Sequence, residues 1–316
     1  MISPVDLLRT ALKRGTDMHD VIVVGGSYAG MAAALQIARA RRKVMVIDAG
    51  VRRNRFAAHS HGFLGQDGAD PAHIVATARK QLEAYPNLVW TEGEAERASK
   101  DPNGFTVTMQ DGTSHAASRL VLALGVTDTL PDIDGLQERW GRSVFHCPYC
   151  HGYELGGGPI GVLAVGPVSM HQALLLPDWG PTTLFTCGTF EPDAQQIAQL
   201  KARGVTLERT PVLRITGEAD VALSDGRVIP LAGLFVASRT APTGSLAEDL
   251  GCDFDEGPLG RFLRTEAMKE TTVAGVFACG DAARGAGNVS MAVGDGALAG
   301  AGVHRSLILE AVPAHA

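Results

Sequence analysis

Near its start the chain runs through a strand, a glycine turn, a helix, a second strand and an acid. Asp20-Val-Ile-Val-Val24 is an apolar run of strand length, and Gly25-Gly26-Ser27-Tyr28-Ala29-Gly30 follows it. A helical stretch over 31–42 leads to the apolar run 43–47, which ends in Asp48. Gly25 permits a tight turn and Gly30 permits close helix–strand packing. The helix N-terminus then faces a pyrophosphate, and Asp48 is placed to hold ribose hydroxyls. Ser27 stands where the pattern has its middle glycine, which still leaves a small side chain. A plain α/β turn is the competing reading, and the βαβ context with its acid favours nucleotide binding.

A second strand–turn–helix unit begins near Gly161, which suggests a duplicated nucleotide-binding architecture. Its turn, Gly166-Pro167-Val168-Ser169-Met170-His171, has one glycine, and Pro167 and Val168 fill the space a pyrophosphate needs. Its second strand ends in Thr186-Cys187-Gly188-Thr189, with neither an acid for a ribose 2′-hydroxyl nor arginines for a 2′-phosphate. This unit reads as a scaffold, degenerate for NADPH.

Between the two units lies His146-Cys147-Pro148-Tyr149-Cys150-His151-Gly152-Tyr153-Glu154. Two thiols at this spacing can close a small disulfide, and a neighbouring His can move a thiol proton. A c-type haem attachment also uses Cys-x-x-Cys-His, but it belongs to exported proteins, and no secretory signal is present. A structural zinc site wants a second ligand pair, which the remaining cysteines do not supply. A redox dithiol is the favoured reading. Cys187, Cys252 and Cys279 sit in apolar surroundings and read as buried, inert thiols.

Residues 51–68 show no period and many hydrogen-bond donors, as in a functional loop, from which His59 and His61 reach either the cofactor or local backbone. An amphipathic helix is expected over Pro71–Tyr85, with strands at 88–92, 104–109 and 119–124 and a turn at Asp111-Gly112. In the middle stretch, strands are expected at 160–165, Thr183–Thr186, around Asp225-Gly226 and at Gly233–Ala237, with a helix over 169–177. Val276–Cys279 is a strand ending in Gly280-Asp281, and a glycine-rich helix spans 288–309.

At 316 residues there is room for two domains. A net charge of −6 argues against nucleic acid or an anionic membrane as main partner. No apolar run is long enough to span a bilayer. Residues 1–17, ahead of Met18, read as an extension, either a short helix or disordered, and not as a secretory signal. Together these features favour the cytoplasm, where a Cys-x-x-Cys is more often catalytic than structural.

With those residues in place, about 18–308 resembles the small thioredoxin-reductase-like flavoproteins. The likeness rests on Gly25–Gly30 with Asp48, Leu120–Gly125, Cys147–Cys150 and Gly280–Asp281. It implies an α/β fold of two Rossmann-like, three-layer ββα domains. Residues 18–130 and 241–316 would form a discontinuous FAD domain, interrupted by an NAD(P)-type domain over 131–240 that carries the Cys pair. It implies FAD as cofactor, with the pyrophosphate along Gly25, Ser27, Tyr28, Ala29 and Gly30. The adenosine ribose falls at Asp48 and Ala49, the ribityl chain at Gly280 and Asp281, and the pyrimidine edge at Asn288 and Val289. Asn54, His61, Ala95, Ala123 and Gly125 complete the expected contacts, and a homodimer is implied by the family.

Thioredoxin reductases carry Asp at or just beyond the place that His151 occupies. The pattern here is similar to the dithiol oxidases that close disulfides in gliotoxin-type and holomycin-type natural products. That resemblance implies catalysis by Cys147, Cys150 and His151. A substrate dithiol attacks Cys147, Cys150 passes the electrons to the flavin, O₂ accepts them as H₂O₂, and His151 shuttles the proton with a pKa of about 6.5. A reductase of a thioredoxin-like protein, fed by NAD(P)H or another donor, is the alternative. A redox sensor without turnover is the third reading.

Overall fold

The computed structural model describes residues 18–311, so the extension expected over 1–17 lies outside the described residues. The first sheet is built on β1 (His19–Val24), which pairs in parallel with β2 (Val44–Asp48) and β6 (Ser114–Leu122). β3 (Leu88–Glu92) adds outside β2, and β19 (Val276–Ala278) returns from far along the chain to lie beside β6. β4 (Ala95–Asp101) and β5 (Gly104–Met109) form an antiparallel meander on β6. Alternation along β1 divides two cores. Val21 and Val23 face the helices, while Ile22 and Val24 face the meander residues Phe105, Val107 and Met109.

The helical layer is α1 (Tyr28–Arg39), α2 (Pro71–Glu83) and the long terminal α7 (Val289–Ala311). Ile37 of α1 is fully buried, which contributes about 2 kcal/mol relative to exposure. The glycines of α7 set its approach to α1. A Cβ on Gly296 would meet the Ala29 carbonyl oxygen at 2.0 Å, and one on Gly300 the Ala33 carbonyl oxygen at 2.6 Å. Helix α1 begins at Tyr28, not at 31, so the glycine turn itself supplies its first residues. It stops at the left-handed Arg41, φ 61°.

The middle module carries a second parallel sheet, β11 (Thr206–Glu208), β10 (Thr182–Phe185), β9 (Ile160–Leu163), β15 (Gly233–Val236) and β8 (Val144–Phe145). Helices α4 (Ser169–Leu175) and α5 (Ala194–Ala202) cover one face. An antiparallel sheet of β12 (Val212–Thr216), β13 (Asp220–Leu223) and β14 (Val228–Ile229) covers the other. This is the expected α/β architecture, with the duplicated unit read from the sequence.

Two strands not anticipated from the sequence join the halves. β7 (Val126–Thr129) leaves the first sheet and β16 (Arg239–Pro242) returns to it. They pair antiparallel, β18 (Gly260–Leu263) and β17 (Phe254–Gly257) extend them into a four-stranded sheet, and the short helix α6 (Leu246–Asp249) follows β16. Among the described residues no helix is long and apolar enough to cross a membrane.

Candidate active site

A cavity of about 570 Å³ runs from the glycine turn to the Cys pair. At its far end Gly25, at φ +106°, admits no other residue without strain, because an added Cβ would sit 2.2 Å from the Ala123 carbonyl oxygen. Gly30 does not line the cavity. It lies behind the turn, where a Cβ would fall 1.7 Å from the Gly25 carbonyl oxygen. Ser27 makes no side-chain cap bond. The first-turn N–H groups, which have no carbonyl four residues back, therefore open towards the cavity wall at Ser27, Tyr28 and Ala29.

Asp48 Oδ1 accepts from the backbone of Gly26 at 3.3 Å and Gly50 at 3.1 Å, which fixes the carboxylate at the cavity rim beside Ala49. Asn54 Nδ2 donates to the Tyr28 hydroxyl at 3.1 Å, and burial raises the pKa of that phenol. Ala95, Ala123 and Gly125 line the same wall. Gly280, Asp281, Asn288 and Val289 line the wall opposite, where Asn288 Oδ1 caps α7 by accepting from Met291 N. A Cβ on Gly287 would meet Asp281 Oδ1 at 2.4 Å, so this glycine makes room for the carboxylate. An open helix N-terminus, a fixed acid and a long cavity with a second carboxylate midway fit a dinucleotide such as FAD.

At the near end Cys147 and Cys150 are joined as a disulfide. Cys147 precedes the single-turn helix α3 (Pro148–His151), with Pro148 at its first position, where a missing N–H costs nothing. Cys150 and His151 line the cavity, and Cys147 does not. Gly152 has to be glycine, since a Cβ would press on the Pro148 carbonyl oxygen at 2.8 Å and the Trp179 ring at 2.9 Å. Tyr149 and Tyr153 stand exposed on the solvent side of this turn.

The His151 ring stacks on Phe145, centroids 4.1 Å apart and planes within 16°. Burial, and to a lesser extent the facing His61, push its pKa down to about 4. The value near 6.5 expected from the sequence is therefore corrected, because Phe145 and the cavity wall take the ring away from water. His61 lines the cavity too, with Nδ1 3.4 Å from Glu154 and 3.6 Å from Asp67. His59 is also on the wall, and its Nδ1 lies 3.1 Å from the Gly68 carbonyl oxygen.

Several cavity residues were not singled out in the sequence: Arg53, Asp128, Trp140 and Phe145, together with His146, which opens the Cys segment but was given no role of its own. Burial first, with Arg53 adding to it, pushes His146 down to about 3. Of the three other thiols, Cys252 and Cys279 are buried as expected. Cys187 is only half-buried and sits at the left-handed φ of 53°. Burial raises all three thiols, Cys187 to about 11 and Cys279 to about 12, so each stays protonated near neutrality.

A βαβ cofactor turn, a duplicated module and a disulfide whose second sulfur meets the cofactor cavity define an FAD-dependent disulfide oxidoreductase. The comparisons with known proteins agree. The chain belongs to the pyridine nucleotide-disulphide oxidoreductase family, whose model matches residues 19–296. A solved oxidoreductase from Agrobacterium tumefaciens is 56% identical with a TM-score of 0.91, covering 92% of this chain and 99% of that one. The solved structure of HlmI is 34% identical with a TM-score of 0.87, covering 94% of each chain. The thioredoxin reductase aclD of Aspergillus oryzae is 32% identical over 309 residues, 93% of this chain and 98% of its own.

Proposed function

We propose that the protein oxidises a small dithiol to its disulfide and delivers the electrons to O₂ through Cys147–Cys150 and FAD. The observation that carries this is His151 beside Cys150 on the cavity wall, its ring held neutral by burial. FAD, which the residues along the cavity would hold, would supply the two-electron relay from the Cys pair to O₂.

A substrate thiolate attacks Cys147 from the side where Tyr149 and Tyr153 are exposed, and the disulfide breaks. Cys150 leaves as a thiolate facing the cavity. The second substrate thiol loses its proton to His151 and attacks the mixed disulfide, which releases the product disulfide and the Cys147 thiolate. The substrate thus gives up two electrons, left on the Cys147 and Cys150 thiolates, and two protons, one to solvent as its first thiolate forms and one to His151, which together are what O₂ needs to become H₂O₂.

The second reading is reduction of a disulfide partner with electrons from NAD(P)H. The name of the Aspergillus relative favours it. Against it stands the middle module's turn, where Pro167 and Val168 stand in place of the glycines that a dinucleotide fingerprint carries. The test is anaerobic addition of dithiothreitol, NADPH or NADH to the purified holoenzyme while flavin absorbance is followed. Bleaching by dithiol, with H₂O₂ formed on admitting air, supports the oxidase. Rapid bleaching by NADPH replaces it with the reductase.

A further inference from the structure

Among the described residues the chain passes between the first sheet and the middle module twice, outward along β7 and back along β16. The two strands pair from Val126–Pro242 to Thr129–Arg239, so any pivot of one half against the other has to twist this pair. One guanidinium clamps it. Arg53, in the loop after β2, donates Nε and Nη2 to the two oxygens of Asp128 on β7, at 2.9 and 2.6 Å. Its Nη1 donates to Asp281 at 2.9 Å. Asp128 Oδ1 also accepts from Ser238 Oγ at 2.7 Å, and Ser238 immediately precedes β16.

The cation therefore ties both crossing segments to the loop that carries a cofactor-lining carboxylate. Side-chain exposures of 22% for Arg53, 9% for Asp128 and 21% for Asp281 set this network apart from a surface ion pair. A bidentate fork of this kind fixes geometry as well as charge.

We propose that Arg53 is a positioning residue that holds the middle module against the cofactor half, with Cys150 facing the flavin. Its kinetic consequence rests on the thiol-to-flavin path proposed above, whereas its structural consequence does not. Without the guanidinium, Ser238 is the side-chain hydrogen-bond partner left to Asp128, and neither Asp128 nor Asp281 keeps its counter-charge. The β7–β16 pair then loosens, and the approach of Cys150 to the flavin is no longer set.

The test uses holoenzyme carrying Arg53→Met and Arg53→Lys. In the Met variant, hydrogen exchange at 126–129 and 239–242 should rise about tenfold or more, while 21–24 in the first sheet keeps its protection. Flavin reduction by dithiothreitol should slow about tenfold or more, whereas reduction by dithionite, which needs no disulfide, keeps the parental rate. The Lys variant, with one point charge in place of the fork, should fall between. In a Cys147→Ser background, the thiolate–flavin absorbance per bound FAD should drop on adding Arg53→Met.

If Arg53→Met does not fold, Arg53→Met/Asp128→Leu removes the stranded carboxylate and should show the same slow dithiol step. Parental exchange at both crossing strands overturns the proposal, as does equal slowing by dithiol and dithionite, which would mark a damaged cofactor site. Should the parent enzyme prove to be reduced by NADPH and not by dithiols, the functional reading fails, and the exchange experiment still decides the role of Arg53.

Discussion

Replacing His151 with Ala tests the acid–base argument at its sharpest point. With its pKa held at about 4, His151 is protonated in about one molecule in a thousand at pH 7. It is thus available as a base across the whole working range, though with less driving force than an imidazole near 6.5. General acid–base catalysis contributes about 10²- to 10⁴-fold, and the depressed basicity places His151 at the lower end, about 10²-fold. The pH dependence is more diagnostic. A substrate thiol with pKa about 8.5 is about 1% thiolate at pH 6.5. Once His151 is gone, reaction has to draw on that preformed fraction, so the rate should climb about tenfold per pH unit until about pH 8.5. With dithiol in saturating excess the first attack no longer limits, so the parent, if His151 deprotonates the resolving thiol in place, should show a much shallower profile, and the two curves should converge at alkaline pH. The assay is anaerobic stopped-flow bleaching of the flavin by excess dithiothreitol from pH 6 to 9. Parallel profiles would refute the base role, and a parental inflexion near 6.5 that vanishes in the variant would refute the burial argument.

Cys150→Ser should abolish flavin reduction by thiols. Cys147→Ser should leave a long-wavelength thiolate–flavin absorbance, and its absence would reverse the assignment of inner and outer sulfur. Gly30→Ala sets a Cβ against the Gly25 carbonyl, a backbone clash that no rotamer relieves; co-purified FAD should be largely lost, measured as flavin absorbance per chain. Acid should destabilise the fold more than its carboxylates alone require. His151 and His146 are neutral in the fold at about 4 and about 3, so the unfolded chain binds protons first, below pH 6.5. The His151 contribution, intact above pH 6.5, is lost as the pH falls and amounts to about 3 kcal/mol by pH 4. Denaturant midpoints should recover in His151→Gln, and an unchanged acid slope there counts against the shift. Finally, Pro167→Gly/Val168→Gly should not confer bleaching by NADPH.

What the sequence disclosed was what is encoded locally. The first βαβ unit was legible because β1 alternates between two cores and its turn needs glycine at Gly25 and Gly30 within a few residues of each other. The Cys-x-x-Cys-His segment was legible for the same reason. β4 went unread because its stretch, Ala95-Glu-Arg-Ala-Ser-Lys-Asp101, buries only Ala98 and otherwise looks like a solvated loop. β7 and β16 are four residues each, and Pro242 ends the second. Arg53 lay inside a loop read as functional, yet its partners are 75 and 228 residues away. No spacing rule reaches that far. The pKa of His151 was misjudged because Phe145, the ring that dries it, belongs to another element.

The two glycine turns show why one module takes a dinucleotide and the other is expected not to. At the first, the opening N–H groups of α1 face the cavity, and Ser27 does not cap them. At the second, several of the donors are already spent. Val165 N–H goes to Ser169 Oγ at 3.0 Å, and Ser169, Met170 and His171 donate to the carbonyls of Gly166, Pro167 and Val168. Pro167 has no donor to give. A phosphate arriving there would have to displace bonds that already exist, and a helix of one to two turns offers little dipole in return. Restoring glycines removes the steric plug and leaves this competition in place. On the reading proposed above, a middle module that carries no second nucleotide can be fixed in one pose. In that pose the proposed roles meet at one wall: Arg53, Cys150 and the neutral ring of His151 all line the same cavity.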